Sequence, residues 1–412
     1  RSRRIIIMAI WDIKERYKLA RGNDLFSGTG DRGIFAAGAP DKATLDFIEI
    51  SSTGDASDFG DMTSANYSQG GSGSHTRHLI GGGLLSPGEA TNTTHFVVFA
   101  TRGNSVDFGD LSVARNGLGA TSNSTRTIFA GGQTPSNEVT IDFFTSASQG
   151  DATDFGDLIL ARNDVSAGAA SPTRATFSGG RTPGLEDEID AIQIASTGNG
   201  ADFGNLSVAR RSTAQTSSTT RALVGGGALA PGDSDVIDYH QFASFGNATD
   251  FGDLSAGVAR LGAVSNSTRA VFGGGDTPSY VDVMDYVTID TLGNSSDFGD
   301  LSVARRTQGS SSNGHGGLGI GTQLPSVTYM PGSGRGFTLG GYDQPNKKQE
   351  IQLTHIPTEG NAVDFGDLTA AVYGGAGFGS LTRGFYAGDV GEGDVVESFE
   401  YATQGNAADF GD

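Results

Sequence analysis

The sequence predicts an all-β protein folded as a single β-propeller, which is a ring of four-stranded sheets called blades. A box with the sequence Asp-Phe-Gly-(Asp/Asn) occurs eight times, beginning at Asp58, Asp107, Asp154, Asp202, Asp250, Asp297, Asp364 and Asp409. Self-similarity at a period of about 47 residues is typical of propellers and other repeat folds. Glycine accounts for 65 of the 412 residues and proline for only 11. This composition favours many short strands joined by tight turns.

Each repeat is expected to supply one blade. Between the boxes lies a second signature, Arg-x-x-Phe-x-Gly-Gly or a close variant, as in Arg126–Gly132 and Arg269–Gly275. An apolar strand therefore closes on a glycine pair, and a turn and an alternating strand such as Val283–Ile289 follow. We expect the Asp-Phe-Gly box to form a turn that leads outward, with its Asp capping that turn.

Two repeated positions are expected to have structural roles. The Phe of each box can fill the gap between blades; these residues are Phe59, Phe108, Phe155, Phe203, Phe251, Phe298, Phe365 and Phe410. An acidic position recurs in six repeats, as Asp46, Asp142, Asp190, Asp238, Asp285 and Glu397. We expect it to anchor a repeat Arg, taken as Arg115, Arg162, Arg210, Arg260 and Arg305.

Eight boxes favour eight blades over residues 25–412, with the last blade joined to the first. Seven blades would follow if the first repeat only supplements another blade. Residues 1–24 form a predicted N-terminal arm, in which Ile10, Ile13 and Tyr17 have helical spacing and Met8 is a candidate start. The interval from Asp297 to Asp364 is longer than the others, which predicts a Gly/Ser-rich loop insertion around residues 307–334.

Charge and composition exclude several classes of partner. The net charge of −20 argues against nucleic acid, because binding phosphates requires clustered Lys and Arg. The chain has no Cys, which excludes disulfides and thiolate metal sites. No apolar run approaches the roughly 20 residues of a membrane-spanning helix, so no membrane span is expected.

The residues also argue against an enzyme. Asp-Phe-Gly occurs here without the other kinase motifs, and a copper oxidase site with a Tyr–Cys link would need Cys. The six His residues fall at unrelated positions of the repeat, so no metal site and no cofactor are expected. Asn247, Asp250 and Asp253 offer oxygen ligands that would suit calcium, although capping of their own turn is the favoured interpretation.

The order of these features resembles the kelch repeat over residues 25–412: a glycine doublet, then an aromatic residue, then a basic residue, with Phe where kelch usually has Trp. The sequences Asp-Phe-Gly-Asp-Leu-x-x-Ala-Arg and Thr-Arg-x-x-Phe-x-Gly-Gly, with a short Trp-Asp helix at 8–21, are also similar to virion structural proteins of marine tailed bacteriophages. This resemblance implies a kelch-like propeller on the surface of a phage particle. Its N-terminal helix would bind other virion proteins.

Three functions follow as hypotheses. The first is attachment to a host surface glycan or protein, the second a purely structural capsid or tail decoration or connector, and the third a cellular kelch-type adaptor. Ligand-binding residues are sought where the repeat is broken, which gives Tyr329, Tyr342, His315, Lys347 and Lys348. The alternative is that this Gly-rich segment only covers the central channel.

Overall fold

The computed structural model describes residues 30–40, 42–165, 167–319, 335–343, 346–355, 361–380, 382–388, 395–401 and 403–411. It is all-β, and the only helix in these residues is the 3-10 turn Gly316–Leu318. The chain divides into two compact units, Arg1–Leu324 and Pro325–Asp412. The predicted N-terminal arm, residues 1–24, lies outside the described residues, as do residues 320–334 of the predicted loop.

The first unit contains six four-stranded antiparallel sheets, a propeller-like arrangement. Sheet 1 consists of Gly309–Ser312, Arg32–Gly38, Lys42–Glu49 and Ser57–Asp61; sheet 2 of Gly70–Gly73, Arg77–Gly81, Thr93–Val98 and Val106–Asp110; and sheet 3 of Gly119–Ser122, Arg126–Ala130, Thr140–Thr145 and Thr153–Asp157. Sheet 4 consists of Ala169–Ala170, Arg174–Ser178, Glu188–Gln193 and Ala201–Asn205; sheet 5 of Ala214–Ser217, Arg221–Gly225, Val236–Gln241 and Thr249–Asp253; and sheet 6 of Gly262–Ser265, Arg269–Gly273, Val283–Thr288 and Ser296–Asp300.

The second unit contains two antiparallel sheets, one of three strands and one of four. Sheet 7 consists of Arg335–Asp343, Asn346–His355 and Val363–Val372, and sheet 8 of Ala376–Gly379, Arg383–Ala387, Val396–Glu400 and Ala408–Gly411. Short accessory strands lie in the first unit, at Asn66–Tyr67, Leu84–Leu85, Glu89–Ala90, Gln133–Thr134 and Ser136–Asn137. In the described parts of the chain, no helix is long and apolar enough to cross a bilayer.

Alternation along each strand lets one sheet contact two neighbours. In the strand Thr140–Thr145, Ile141 and Phe143 pack in the cluster shared with sheet 4, and Phe144 packs in the cluster shared with sheet 2. Successive side chains of a strand point to opposite faces of the sheet, so apolar residues at odd and at even positions bury both faces. The core is therefore a series of apolar layers between sheets.

The box is a strand and not the predicted turn. In the four-stranded sheets each box forms most of one edge strand, as in Ser57–Asp61, and in sheet 7 the box lies in the edge strand Val363–Val372. Its glycine has a positive φ, 149° at Gly60, and a Cβ atom there would overlap the carbonyl group of Gly103 in the next sheet. Glycine is required because it permits both this conformation and the close approach.

The box Phe residues occupy the predicted positions between sheets. The first seven are 2–3% exposed, and Phe251 packs with Ala263, Phe272 and Val287 of the following sheet. Phe410 of sheet 8 is 58% exposed. The buried box Phe residues are those with another described sheet packed on them.

The sixth sheet packs on the first. Phe298 of sheet 6 clusters with Phe35, Ile48 and Ile50 of sheet 1. Gly54 in turn donates its N–H to the carbonyl oxygen of Phe298 at 2.7 Å. These contacts repeat those made between sheets 1 and 2, so packing within the first unit returns to its starting point after six sheets.

This order differs from the predicted single ring of eight or seven blades closed by the last one. The strand that completes sheet 1 at the edge opposite Ser57–Asp61 is Gly309–Ser312, which pairs antiparallel with Gly33–Ala36. It lies within residues 307–334, where a loop insertion was predicted. Sheets 7 and 8 belong to the other compact unit.

We expect Phe251→Ala to lower the free energy of unfolding by about 3 kcal/mol, because the truncation leaves a cavity between sheets 5 and 6. Phe410→Ala is the matched control. The same substitution in the same box should change stability by less than about 0.5 kcal/mol, because Phe410 is exposed. Urea denaturation measures both, and equal effects would mean that the box Phe does not stabilise the sheet interface.

Candidate functional site

The buried acids and arginines of the repeat form ion pairs, as predicted, at four of the sheet interfaces. Arg115, Arg162 and Arg210 lie 2.9, 2.7 and 2.9 Å from Asp142, Asp190 and Asp238, and Arg305 pairs with Asp46. These side chains are at most 1% exposed. Burial lowers the pKa of Arg162 and raises the pKa of Asp190, despite their mutual attraction. They join sheets and are inaccessible to a ligand.

One end of the first unit is encircled by six residues with positive φ, one from each repeat: Ser68, Gly117, Asp164, Ser212, Arg260 and Thr307. Backbone hydrogen bonds of 2.8–3.3 Å link these turns, each from an N–H group to a carbonyl oxygen. The donor and acceptor residues are Ser68 and Thr307, Gly117 and Ser68, Val165 and Gly117, Ser212 and Asp164, Arg260 and Ser212, and Thr307 and Arg260. The chain of bonds returns to Ser68, so these turns surround one cavity.

The cavity mouth is polar and carries opposite charges. Arg211 lies 2.6 Å from Asp164, while Arg260 and Arg306 both contact Asp276 at 2.7–2.8 Å. The cavity contains about 540 Å³ of empty space, part of it open to solvent. Of these residues Asp164 and Arg260 line the cavity, and each is already paired with a residue of opposite charge.

A second, smaller space among the inner strands is lined in part by His315, which lies in the glycine-rich segment Gly314–Gly319. His315 Nε2 lies 3.0 Å from the carbonyl oxygen of Gly73 and 3.1 Å from the hydroxyl oxygen of Ser122. Burial lowers the pKa of His315 to about 4, so the ring is neutral at pH 7. A Cβ atom on Gly316 or Gly317 would overlap carbonyl oxygens of the inner strands, which explains the glycine-rich sequence.

The second unit has an exposed hairpin that carries three of the predicted ligand-binding residues. Tyr342 and Lys347 are opposite each other, and Gly341 is opposite Lys348. The ring of Tyr342 is 51% exposed and lies 5.0 Å from the ring of Tyr373. Lys347 Nζ lies 5.3 Å from the Tyr373 ring centroid. We name Tyr342, Tyr373, Lys347 and Lys348 the hairpin cluster.

The structure groups some of the predicted residues and separates others. Tyr342, Lys347 and Lys348 come together, whereas His315 is buried in the other unit and Tyr329 lies outside the described residues. Sequence reasoning missed Tyr373. Its signal was a departure from the repeat, because Ala-Val-Tyr follows the box at Asp364 where other repeats have Ala-Arg.

A second exposed aromatic group lies on sheet 8. The rings of Phe378 and Phe385 stack at 5.1 Å, and Phe410 meets Phe385 edge-on at 5.1 Å. Phe378 and Phe410 are 56% and 58% exposed. Exposed apolar clusters of this kind are typical of interaction surfaces. We name Phe378, Phe385 and Phe410 the sheet 8 cluster.

Within the described residues, no three His, Asp or Glu side chains gather as metal ligands would. No protein-family model matches the chain, and none of the curated proteins is detectably similar to it in sequence. The resemblance to kelch repeats and to phage virion proteins therefore depends on the repeat residues alone.

Proposed function

We propose that residues 30–319 form a closed six-bladed β-propeller with a kelch-like repeat. Three features support closure: the pairing of Gly309–Ser312 with sheet 1, the packing of Phe298 on sheet 1, and the cyclic chain of backbone hydrogen bonds at the cavity mouth. Radial closure leaves only short, protected strand edges and produces a rigid disc.

We further propose that the protein is a structural component of a phage particle that takes part in host attachment. The repeat residues that resemble phage virion proteins support this location. In the first unit the repeated Phe, Asp and Arg side chains are used between sheets, which suits a rigid structural body. Recognition then falls to residues that depart from the repeat.

The hairpin cluster is the observation that carries the attachment hypothesis. Exposed Tyr rings stack on the apolar faces of sugar rings, and the tyrosine hydroxyl groups form hydrogen bonds. Lys347 and Lys348 place two cationic groups beside these rings, and Asp343 lies 3.7 Å from Lys348. We therefore propose a host surface glycan with anionic groups as the ligand of this cluster.

The sheet 8 cluster supports a second function, that of a structural decoration or connector. An exposed apolar surface on a soluble particle is stabilised when another protein covers it. In this interpretation the protein is found in particles and has no affinity for the host cell. The two functions are separable by experiment, because they use different residues.

The test is whether purified protein attaches saturably to host bacteria and blocks infection by the particle. We expect the double variant Tyr342→Ala with Tyr373→Ala to bind at least tenfold more weakly while melting at the same temperature. Tyr280→Ala is the matched control, because Tyr280 is also exposed and has Arg306 5.0 Å from its ring. Unchanged attachment by the double variant would eliminate the hairpin cluster. Absence of attachment by the wild type, with the protein still present in particles, would favour the connector function.

A further inference from the structure

One sheet interface lacks the buried Arg although its Asp partner is present. The interface Arg stands eight residues after the first Asp of the box, as Arg210 does after Asp202, and this position after Asp250 is Val258. The backbone confirms the equivalence: Gly227 N–H donates to the Val258 carbonyl at 2.8 Å, as Gly180 N–H does to the Arg210 carbonyl at 3.0 Å.

Arg260 is therefore not the repeat Arg that the sequence predicted. It lies two residues further on, among the positive-φ residues of the cavity mouth. Its Nη1 donates to both carboxylate oxygens of Asp276 at 2.8 Å. Its guanidinium group is committed there. The prediction that Arg260 pairs with the repeat acid is wrong.

Asp285, the acid of this interface, is held as its counterparts are. Its Oδ2 accepts bonds from Ser255 N and Oγ at 2.9 and 2.7 Å, just as Asp238 accepts from Ser207 at 3.1 and 2.9 Å. Asp285 is 7% exposed. No Lys or Arg of the described residues forms an ion pair with it, whereas Asp238 pairs with Arg210.

A cavity occupies the space where the Arg side chain would lie. It contains about 410 Å³ of empty space, part of it open to solvent. Asp285 lines one side, and the rest of the wall is largely apolar, with Leu254, Val258, Phe272 and Val283. Such a pocket combines one buried negative charge with an apolar channel leading to it.

The neighbouring interface shows what this space accommodates. Between sheets 4 and 5, Arg210 bonds to Asp238 and donates to the carbonyl oxygens of Val236 at 3.0 Å and Val224 at 3.1 Å. The equivalent residues in sheet 6 are Val283 and Phe272. Phe272 is paired with Asp285 as Val224 is with Asp238, and Val283 is paired with the last residue of its box, Asp300, as Val236 is with Asp253. Val283 and Phe272 both line the cavity.

At the other interfaces that lack the Arg, the Asp is replaced as well. Asn66 replaces Arg in the first repeat, and His95 stands where the next sheet has its acid. In the second unit, Val372 replaces Arg and Glu397 replaces Asp, and both Glu397 oxygens accept bonds from Thr369. At the interface between sheets 5 and 6, Asp285 is present and only its Arg partner is missing.

We propose that the cavity between sheets 5 and 6 binds a guanidinium group on a short apolar stem, which takes the place of the missing Arg. The planar guanidinium group matches the carboxylate of Asp285 and the two carbonyl oxygens, and its apolar stem contacts Val258 and Leu254. A buried carboxylate without a cationic partner is unfavourable, so binding restores the arrangement seen at the four paired interfaces.

Titration calorimetry of the full-length protein with ethylguanidinium tests this proposal, and ethylurea is the neutral control of similar shape. We expect one molecule of ethylguanidinium to bind and ethylurea to bind at least tenfold more weakly. Val258→Arg should abolish binding, because the new side chain occupies the cavity. Asp285→Asn should weaken it at least tenfold. Arg210→Val should create a second site and raise the stoichiometry from one to two.

Equal binding of ethylurea, or binding that survives Val258→Arg, would overturn the proposal. Val258→Arg only restores the residue found at the paired interfaces, so it is expected to fold even if Asp285→Asn does not. Its melting temperature, compared with that of the wild type, verifies folding independently of the ligand.

Discussion

Acidification from pH 6.5 to pH 5 is expected to destabilise the unit formed by residues 30–319 steeply, because three of its histidines are buried as neutral rings. Burial lowers the pKa of His78 and of His240 to about 3, and the pKa of His315 to about 4, from the ordinary value of 6.5. His78 and His315 also repel each other when charged, and His75 has the same effect on His315.

The sign follows from where the protons bind. Below pH 6.5 these histidines are protonated in the unfolded chain, whereas the folded protein keeps them neutral until pH 4 or below. The unfolded state therefore binds more protons, and the free energy of unfolding falls as the pH falls. Each histidine contributes about 1.4 kcal/mol per pH unit, so the slope approaches about 4 kcal/mol per unit.

His240→Ile isolates one contribution, because the equivalent position of sheet 4 is Ile192 and a β-branched aliphatic residue fits it. Urea denaturation at several pH values should show the slope reduced by about a third between pH 6.5 and 5, with parallel curves above pH 7. Burial raises the pKa of Glu49 and of Asp190, which acts in the opposite direction nearer pH 4. If the free energy of unfolding had the same slope against pH in both proteins between pH 6.5 and 5, His240 would not be buried as a neutral ring.

Truncating the ion pair between Arg305 and Asp46 should have an effect of similar size. We expect Arg305→Ala to lower the free energy of unfolding by about 5 kcal/mol, because it leaves Asp46 charged and buried and also removes a packed side chain. Arg305 bonds to Asp46 and to the carbonyl oxygen of Thr44 at 2.7 Å, and it joins the segment after sheet 6 to sheet 1.

Two variants serve as controls for this prediction, measured by urea denaturation at pH 7. Arg305→Met combined with Asp46→Leu should recover most of the loss, because no buried charge is left unpaired. Arg211→Ala should cost about 1 kcal/mol or less, because its pair with Asp164 is a quarter exposed. A loss at Arg305→Ala no larger than that at Arg211→Ala would mean that the buried pair does not hold the segment after sheet 6 against sheet 1.

Periodicity predicted those parts of the structure that depend on local repetition. The eight boxes gave correct positions for the buried Phe residues from Phe59 to Phe365, and the recurring acids gave four of the Arg partners. These predictions succeeded because every interface between sheets buries the same face of the same strand. A side chain that recurs at each interface has the same contacts at each one.

The number of sheets that pack in one unit was not predictable in this way, because copies of a motif do not reveal which of them pack together. The strand Gly309–Ser312 has the sequence Gly-Ser-Ser-Ser, which lacks the apolar alternation that marks other strands. Arg260 was misassigned because the Ala-Arg motif shifted by two residues relative to the box. His315 was selected as an irregularity, and its irregular position instead reflects packing against Gly73 and Ser122.

The pairing of Gly309–Ser312 with sheet 1 also sets the timing of folding during synthesis. Arg32 N–H donates to the Asn313 side chain at 2.9 Å, and these residues are separated by 281 positions. While the ribosome is still translating the intervening repeats, sheet 1 has three strands and an open edge. The long-range contacts that complete it require closure of a very long loop, which makes this step intrinsically slow. Nascent chains in which Gly309–Ser312 has not yet been made thus expose an unpaired strand edge, which is a site for misassembly between neighbouring polypeptides on one messenger RNA.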